Sequence, residues 1–445
     1  MDHSCDTNEI TTAAGSIAHV NFNKWWVFQI CHLRNKSHIH VKEEDNLPDP
    51  IESFDDLVTR YGISEQLRAN ITYTQPTPVQ MQALPALLEK RELLALAPTG
   101  SGKTAAFVIP LLHHLEQKRQ QQQLQAIILV PTRELAKQIY REVDKLCVGL
   151  EVFPHLLQST EEVPPCVSIF TLVLQLGVVL LHLELVVSLF LKNFILLSYT
   201  KQMGDVPDLL VTTPNRLVYL LNQTPCSLNM AKVKWLVVDE CDKLFEAKHE
   251  NSFRSQLATI YKACCGKNIR RALFSATYMA EVETWTQQYL NSPAVFYIGQ
   301  KNFAVSTVKQ EVLFCGQDSG KELAMEQLIA GGYTAPILVF VNTRARAYAV
   351  YRFVRTLEPK AKCFHSHLKE HERDAIMEQF ADQKIPILVT TDIFSWGMDF
   401  DISLVVNYDV PHSLRTYVNR IGRFLVLSQC SNMFTRVKKY INQAS

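Results

Sequence analysis

A chain of 445 residues, 47% hydrophobic and 20% charged, is long enough for two or three domains and too apolar to be disordered over most of its length. A net charge of +1 excludes a globally basic nucleic-acid binder, so any such contact must come from local basic surface, backbone amides or helix ends. Eleven cysteines with no CxxC pair point to free thiols, and residues 1–20 lack a basic stretch followed by an apolar one, so an intracellular protein without a signal peptide is expected.

The chain opens on a mixed leader, 1–50. Trp25, Trp26 and Phe28 form an apolar knot, and Cys31, His32, His38 and His40 lack the spacing of a zinc site, so the leader packs on the core or stays loose. A helix is predicted from Phe54 to Leu67. In TYTQPTPVQMQALPALL the prolines at 76 and 78 fix an extended turn, and a helix begins near Val79. Gln80 stands at its start with an amide free to read an adenine edge, offering both donor and acceptor. The sequence LLALAPTGSGKTAAFVIPLL follows: a buried strand, a Gly-rich loop and a helix. That context cradles phosphates, because Gly100 and Gly102 let backbone N–H groups turn inward and the helix N-terminus adds its dipole. The loop residues are Ala97, where the generic pattern has glycine, then Thr99, Gly100, Ser101, Gly102, Lys103 and Thr104. Lys103 reaches the β/γ-phosphates and the Thr104 hydroxyl helps hold Mg²⁺, so a nucleoside triphosphate is the expected ligand.

After a polar low-complexity run, Gln117 to Gln125, AIILVPTRELAKQIYREV reads as strand, turn and helix. Arg133, beside that helix N-terminus, suits a nucleic-acid phosphate. Val163 to Tyr199 is then almost uncharged and long enough to span a bilayer. One crossing would put the phosphate loop and the later acidic strand on opposite sides of a membrane although both must meet one nucleotide, so an insert foreign to the domain (about 163–200) is preferred. DLLVTTPNR gives strand, turn and helix with Thr213, Pro214 and Arg216 at the helix start, and KWLVVDECDKLF gives a buried strand ending in acids. Carboxylates at that end face the crevice where α/β sheets bind ligands; Asp239 holds Mg²⁺ through water and Glu240 orients and deprotonates the attacking water. ALFSAT ends in two hydroxyls. Beyond a polar linker (301–306), a second strand–helix series without a phosphate loop occupies 307–445 and supplies the far wall of a cleft with the first domain, 51–300.

These segments together resemble, from about Phe54 to Arg423, the DEAD-box RNA helicases: PTPVQ, APTGSGKT, PTRELA, TPNR, DECD, SAT, VFVNT, the Arg373 helix, TTDIFSWGMDF and NRIGR occur in the family's order. The resemblance implies an α/β fold of two RecA-like domains, parallel sheets flanked by helices, that hydrolyse ATP with Mg²⁺, close on RNA and locally unwind it. It implies that Phe54 joins Gln80 at the adenine, that Thr132, Arg133, Thr213, Pro214 and Arg216 grip the RNA backbone, and that Phe340, Thr343, Arg373 and Thr391 do so from the second domain. Ser275 and Thr277 would couple hydrolysis to domain movement, Asp399 would contact the ribose, and Arg420 and Arg423 would serve catalysis, Arg423 as an arginine finger. LPDPIESFDDL, VTTPNR and DECDKLF resemble most the branch serving small-ribosomal-subunit assembly, which implies a nucleolar monomer with pre-rRNA and assembly factors as partners and no membrane.

The sequence departs from the family in several places. No Gly-Gly RNA contact is found between PTRELA and TPNR. Trp396 stands where the family has arginine, Asn419 replaces histidine, and the last arginine of NRIGR's motif is absent. The tail of about 22 residues is too short for the family's closing strand and helices. A catalytically impaired ATP- and RNA-binding protein is the alternative these departures leave open, and a DNA-processing ATPase of similar design is a third reading.

Overall fold

The computed structural model describes residues 27–42, 47–117, 123–157, 207–222, 228, 230–245, 253–264, 266, 268–299, 309–395, 402–421 and 429–434. They form two lobes, each a mainly parallel sheet covered by helices on both faces. The apolar run 163–199, the linker 301–306, Trp25, Trp26, Trp396, Asp399 and Arg423 lie outside the described residues. Among the described residues no helix is long and apolar enough to cross a membrane.

The first lobe carries the strands β1 (Ile39–Val41), β2 (Leu93–Leu96), β3 (Ala126–Leu129), β4 (Pro154–Leu156), β5 (Leu209–Thr212), β6 (Trp235–Val238), β7 (Arg270–Ser275) and β8 (Ala294–Ile298). They are ordered β1-β8-β2-β7-β6-β3-β5-β4, parallel throughout except for the β1–β8 pair. Strands β2, β3, β5 and β6 are buried along their whole length, which is why each reads as an unbroken apolar run. The order sets the phosphate-loop strand β2 beside β7, and β7 beside β6, so three functional loops leave adjacent strand ends.

Helices of this lobe are α1 (Asp55–Tyr61), α2 (Glu65–Asn70), α3 (Pro78–Leu88), α4 (Lys103–Glu116), α5 (Arg133–Leu146), α6 (Pro214–Leu221), α7 (Phe253–Ala263) and α8 (Ala280–Tyr289). The single helix expected from Phe54 to Leu67 is two, α1 and α2. Gly62 caps the first in the left-handed region (φ 66°), and Ser64 starts the second by accepting from Leu67 N–H. The described part of the leader packs on the core: β1 adds to the sheet edge, and buried Arg34 bonds Gln82 Oε1 on α3 at 2.9 Å. His40 stacks on Tyr297 with ring centroids 4.8 Å apart.

The second lobe has β9 (Lys309–Phe314), α9 (Asp318–Ala330), β10 (Ile337–Phe340), α10 (Arg344–Leu357), β11 (Lys362–Phe364), α11 (Glu370–Ala381), β12 (Ile387–Thr390), β13 (Leu404–Asn407), α12 (Leu414–Ile421) and β14 (Gln429–Phe434). The all-parallel order is β11-β12-β10-β13-β14-β9. A tail expected to be too short for a closing strand therefore supplies one: β14 pairs with β13 and with β9 over all six of its residues. Gln-Cys-Ser-Asn-Met-Phe carries weak strand propensity, and two neighbouring ladders override it. Strand β9 forms one edge, with all six residues exposed, Val312 (73%) and Phe314 (63%) among them.

Candidate active site

A cleft of about 620 Å³ opens over the C-terminal ends of the first lobe's strands. Of the residues expected at a nucleotide, Gln80, Thr99, Gly100, Gly102, Lys103, Thr104, Asp239 and Glu240 line it. The loop is held in the phosphate-ready shape by Gly100 and Gly102 at φ 75° and 90°. Lys103 Nζ donates to Ala97 O (2.9 Å) and Pro98 O (3.1 Å), and Ser101 Oγ donates to Pro98 O at 2.6 Å. Ala97 is buried and its N–H donates to Ser275 O, which ties the loop to β7.

The Gln80 amide is not free, as its place at the helix start suggested. Its Oε1 accepts from Thr77 N–H (3.0 Å) and its Nε2 donates to Gly102 O (3.1 Å), so the residue locks the loop to the start of α3. One N–H and one lone pair remain for a base edge. Phe54 is 1% exposed and does not line the cleft; its ring sits 6.3 Å from that of Tyr73, which does. Burial, then the hydrogen bond to Glu142, pushes the Tyr73 phenol up, so it stays a neutral donor with an aromatic face at the cleft. Tyr73, Gln138 and Glu142 are cleft residues that the sequence reading passed over; the aromatic three residues before Pro76 was the signal for the first.

The acidic strand end lies on the cleft and adds a coupling. Asp239 and Glu240 are buried, Glu240 N–H donates to Asp239 Oδ1 at 2.9 Å, and Glu240 takes φ 51°. A left-handed bulky residue is uncommon and is the kind of strain held at functional sites. Two residues on, Asp242 Oδ2 accepts from Thr277 Oγ1 at 2.7 Å, and Ser275 Oγ donates to Thr277 O at 2.8 Å. Ser275 and Thr277 thus report to the acidic loop, with Asp242 the partner that sequence left unassigned.

In the second lobe Arg420 departs from its expected catalytic place. It is fully buried and does not line the cleft. Its guanidinium donates to Asp392 Oδ1 (2.6 Å), Asn342 Oδ1 (2.8 Å), Asp409 O (2.7 Å) and Asn407 Oδ1 (3.3 Å), and lies 5.2 Å from the Phe340 ring centroid. It clamps the ends of β10, β12 and β13. Phe340, expected against RNA, is likewise wholly buried beneath that clamp and presents no side chain to a ligand.

The remaining candidate RNA contacts sit after strand ends or in the first turns of helices, most of them partly buried. Thr132 caps α5 by accepting from Leu135 N–H (3.3 Å), and Thr343 caps α10 by accepting from Arg346 N–H (3.2 Å), leaving both hydroxyl protons to donate. Pro214, buried, occupies the first turn of α6 after Thr213; Arg216 lies over Tyr219 at 5.2 Å; Thr391 follows β12. Arg133 and Arg373 meet carboxylates across the lobes: Arg133 pairs with Glu370 (3.2 Å) and Arg373 with Glu134 (2.7 Å). Glu134 and Glu370 were not singled out from sequence.

A phosphate loop, an acidic pair and a hydroxyl pair on adjacent parallel strands, faced by a second α/β lobe, define a two-lobed P-loop nucleotide-binding protein. The model of the DEAD/DEAH box helicase domain matches residues 77–164 and 175–285, and that of the helicase conserved C-terminal domain matches 320–425. The chain is 41% identical over 395 residues to the bovine (Bos taurus) probable ATP-dependent RNA helicase DDX52, covering 88% of this chain and 60% of that one. It is 34% identical over 401 residues to the ATP-dependent RNA helicase ROK1 of Yarrowia lipolytica, covering 88% and 67%. The structure of S. cerevisiae Dbp5 bound to RNA and ADP BeF3 superposes with a TM-score of 0.67 at 22% identity, over 87% of this chain and 90% of that one, a likeness of fold. The chain belongs to the DEAD-box family of ATP-dependent RNA helicases, and it spans about 60% of the length of the bovine relative. The domain match breaks only over 165–174, a shorter interruption than the apolar stretch suggests.

Proposed function

We propose that this chain binds ATP in the first-lobe cleft, closes its second lobe over it, and uses hydrolysis to grip and release RNA, unwinding it locally. The observation that carries this reading is the convergence of Lys103, Thr104, Asp239 and Glu240 on one cleft, with Gln80 buttoned onto the phosphate loop. A triphosphate entering the loop replaces Ala97 O and Pro98 O as the partner of Lys103. The Thr104 hydroxyl and the Asp239 carboxylate are hard oxygen donors that fit Mg²⁺, which when bound would neutralise charge developing on the phosphates. Glu240, fixed by its strained backbone, orients a water and accepts its proton. Through Asp242, Thr277 and Ser275 the change at the acidic loop passes to β7 and onward.

RNA is the favoured polymer because the candidate contacts among the described residues are hydroxyls, helix starts and arginines, groups suited to a backbone rather than to base edges. The resemblance of LPDPIESFDDL and DECDKLF, together with the DDX52 and ROK1 relatives, supports a place in ribosome assembly in the nucleolus with pre-rRNA as substrate. RNA-stimulated ATP hydrolysis by the purified chain, beside Glu240→Gln, tests the reading. Turnover well above that variant is expected. Turnover equal to it, with ATP still bound, would replace the enzyme by a non-catalytic ATP- and RNA-binding protein, and equal stimulation by DNA would remove RNA as the favoured polymer.

A further inference from the structure

We propose that Lys137, beside the Arg133–Glu370 and Arg373–Glu134 pairs, is a positioning residue for the second lobe, through an ion-pair seam that makes α5 the mechanical link between the nucleotide and lobe closure. This rests on the two-lobed ATPase reading above. Leu135, Gln138 and Glu142, at i, i+3 and i+7, place one side of α5 on the cleft. Arg133 and Lys137, one turn apart, point from the opposite side of the same helix. There Lys137 Nζ lies 2.7 and 2.9 Å from the two oxygens of Asp374 and 3.6 Å from Glu370 Oε1, while Arg133 takes Glu370 Oε2. Glu370 and Asp374 are themselves one turn apart on α11, so two cations in register meet two carboxylates in register.

No residue of the second lobe lines the described cleft, so whatever that lobe delivers to the nucleotide depends on the pose the seam sets. The Lys137 side chain is only 22% exposed, which places its pairs between the weak exposed class and the strong desolvated one. A helix that touches ligand on one side and the partner lobe on the other transmits a small shift in either direction, because packed elements move as units.

The test uses the full chain as Lys137→Glu, Asp374→Lys and the two together. A donor–acceptor dye pair, one per lobe, reads closure with a non-hydrolysable ATP analogue and RNA; ATP turnover is measured in parallel. Each single change should leave affinity for a fluorescent ATP analogue without RNA within about twofold, since neither residue lines the cleft. Each should weaken RNA-dependent closure and turnover by about tenfold, and the double change should restore most of both. Asp374→Lys adds positive charge, so a loss there separates lobe positioning from a simple phosphate contact, which that variant would strengthen. Closure unaltered by the single changes, or a double variant no better than the sum of the two, overturns the proposal. If the unaltered chain hydrolyses no ATP, the enzyme reading fails and the dye-pair measurement still decides the seam.

Discussion

Gly102 shows how little freedom a functional residue has here. At φ 90°, a Cβ on it would lie 2.5 Å from Gln80 Nε2, so Gly102→Ala must break the bond between α3 and the phosphate loop as well as strain the backbone. A stability loss of about 1–3 kcal/mol in thermal melts and at least a tenfold loss of ATP affinity by calorimetry are expected. Arg420 is the counterpart in the second lobe. Arg420→Met removes a fully buried charge but leaves Asp392, Asn342 and Asn407 without it, and should cost about 3 kcal/mol, read as an earlier melting of the second lobe with ATP binding to the first unchanged. Such residues were visible in the sequence by type and order. Their partners were not, because Asn342, Asp392 and Asp409 come from three separate strand ends that only the β12-β10-β13 order makes neighbours.

At the scale of the element, the strands and the helices opening on Thr132, Pro214 and Thr343 were legible because buried apolar runs and helix caps are local signals. Packing of the leader was one of two open readings, but its contacts were not legible, since β1 depends on a distant edge strand and Arg34 on a glutamine in α3. Gln82 holds both Arg34 and Pro48 O, two residues from Gln80. Arg34→Ala should therefore destabilise the first lobe by about 1–2 kcal/mol in chemical denaturation and raise KM for ATP more than it lowers kcat. An equal fall in kcat would show that the leader acts elsewhere.

For the whole molecule, pH acts through histidines. Burial lowers the imidazoles of His113, His155 and His365, so each folded site refuses a proton that the unfolded chain accepts. Stability is then fullest above the unfolded-state value of 6.5 and falls as pH drops through and below it, a slope that urea titrations between pH 7.5 and 5.5 would record. The two-lobed layout was legible from motif order, whereas the α5–α11 seam was not: Lys137 and Asp374 are ordinary surface charges until the lobes meet.

The outer strand β9 has a consequence for handling the molecule. Among the described residues no strand pairs with its outer edge, and with Val312 and Phe314 exposed that edge is a template on which another copy can add, Lys309 and Glu311 being its charged sentries. Losses on concentrating the protein should then grow faster than in proportion to concentration, and turbidity should depend on these four side chains while leaving the cleft's chemistry untouched. Replacing Val312 by lysine would keep solutions clear at concentrations where the parent clouds.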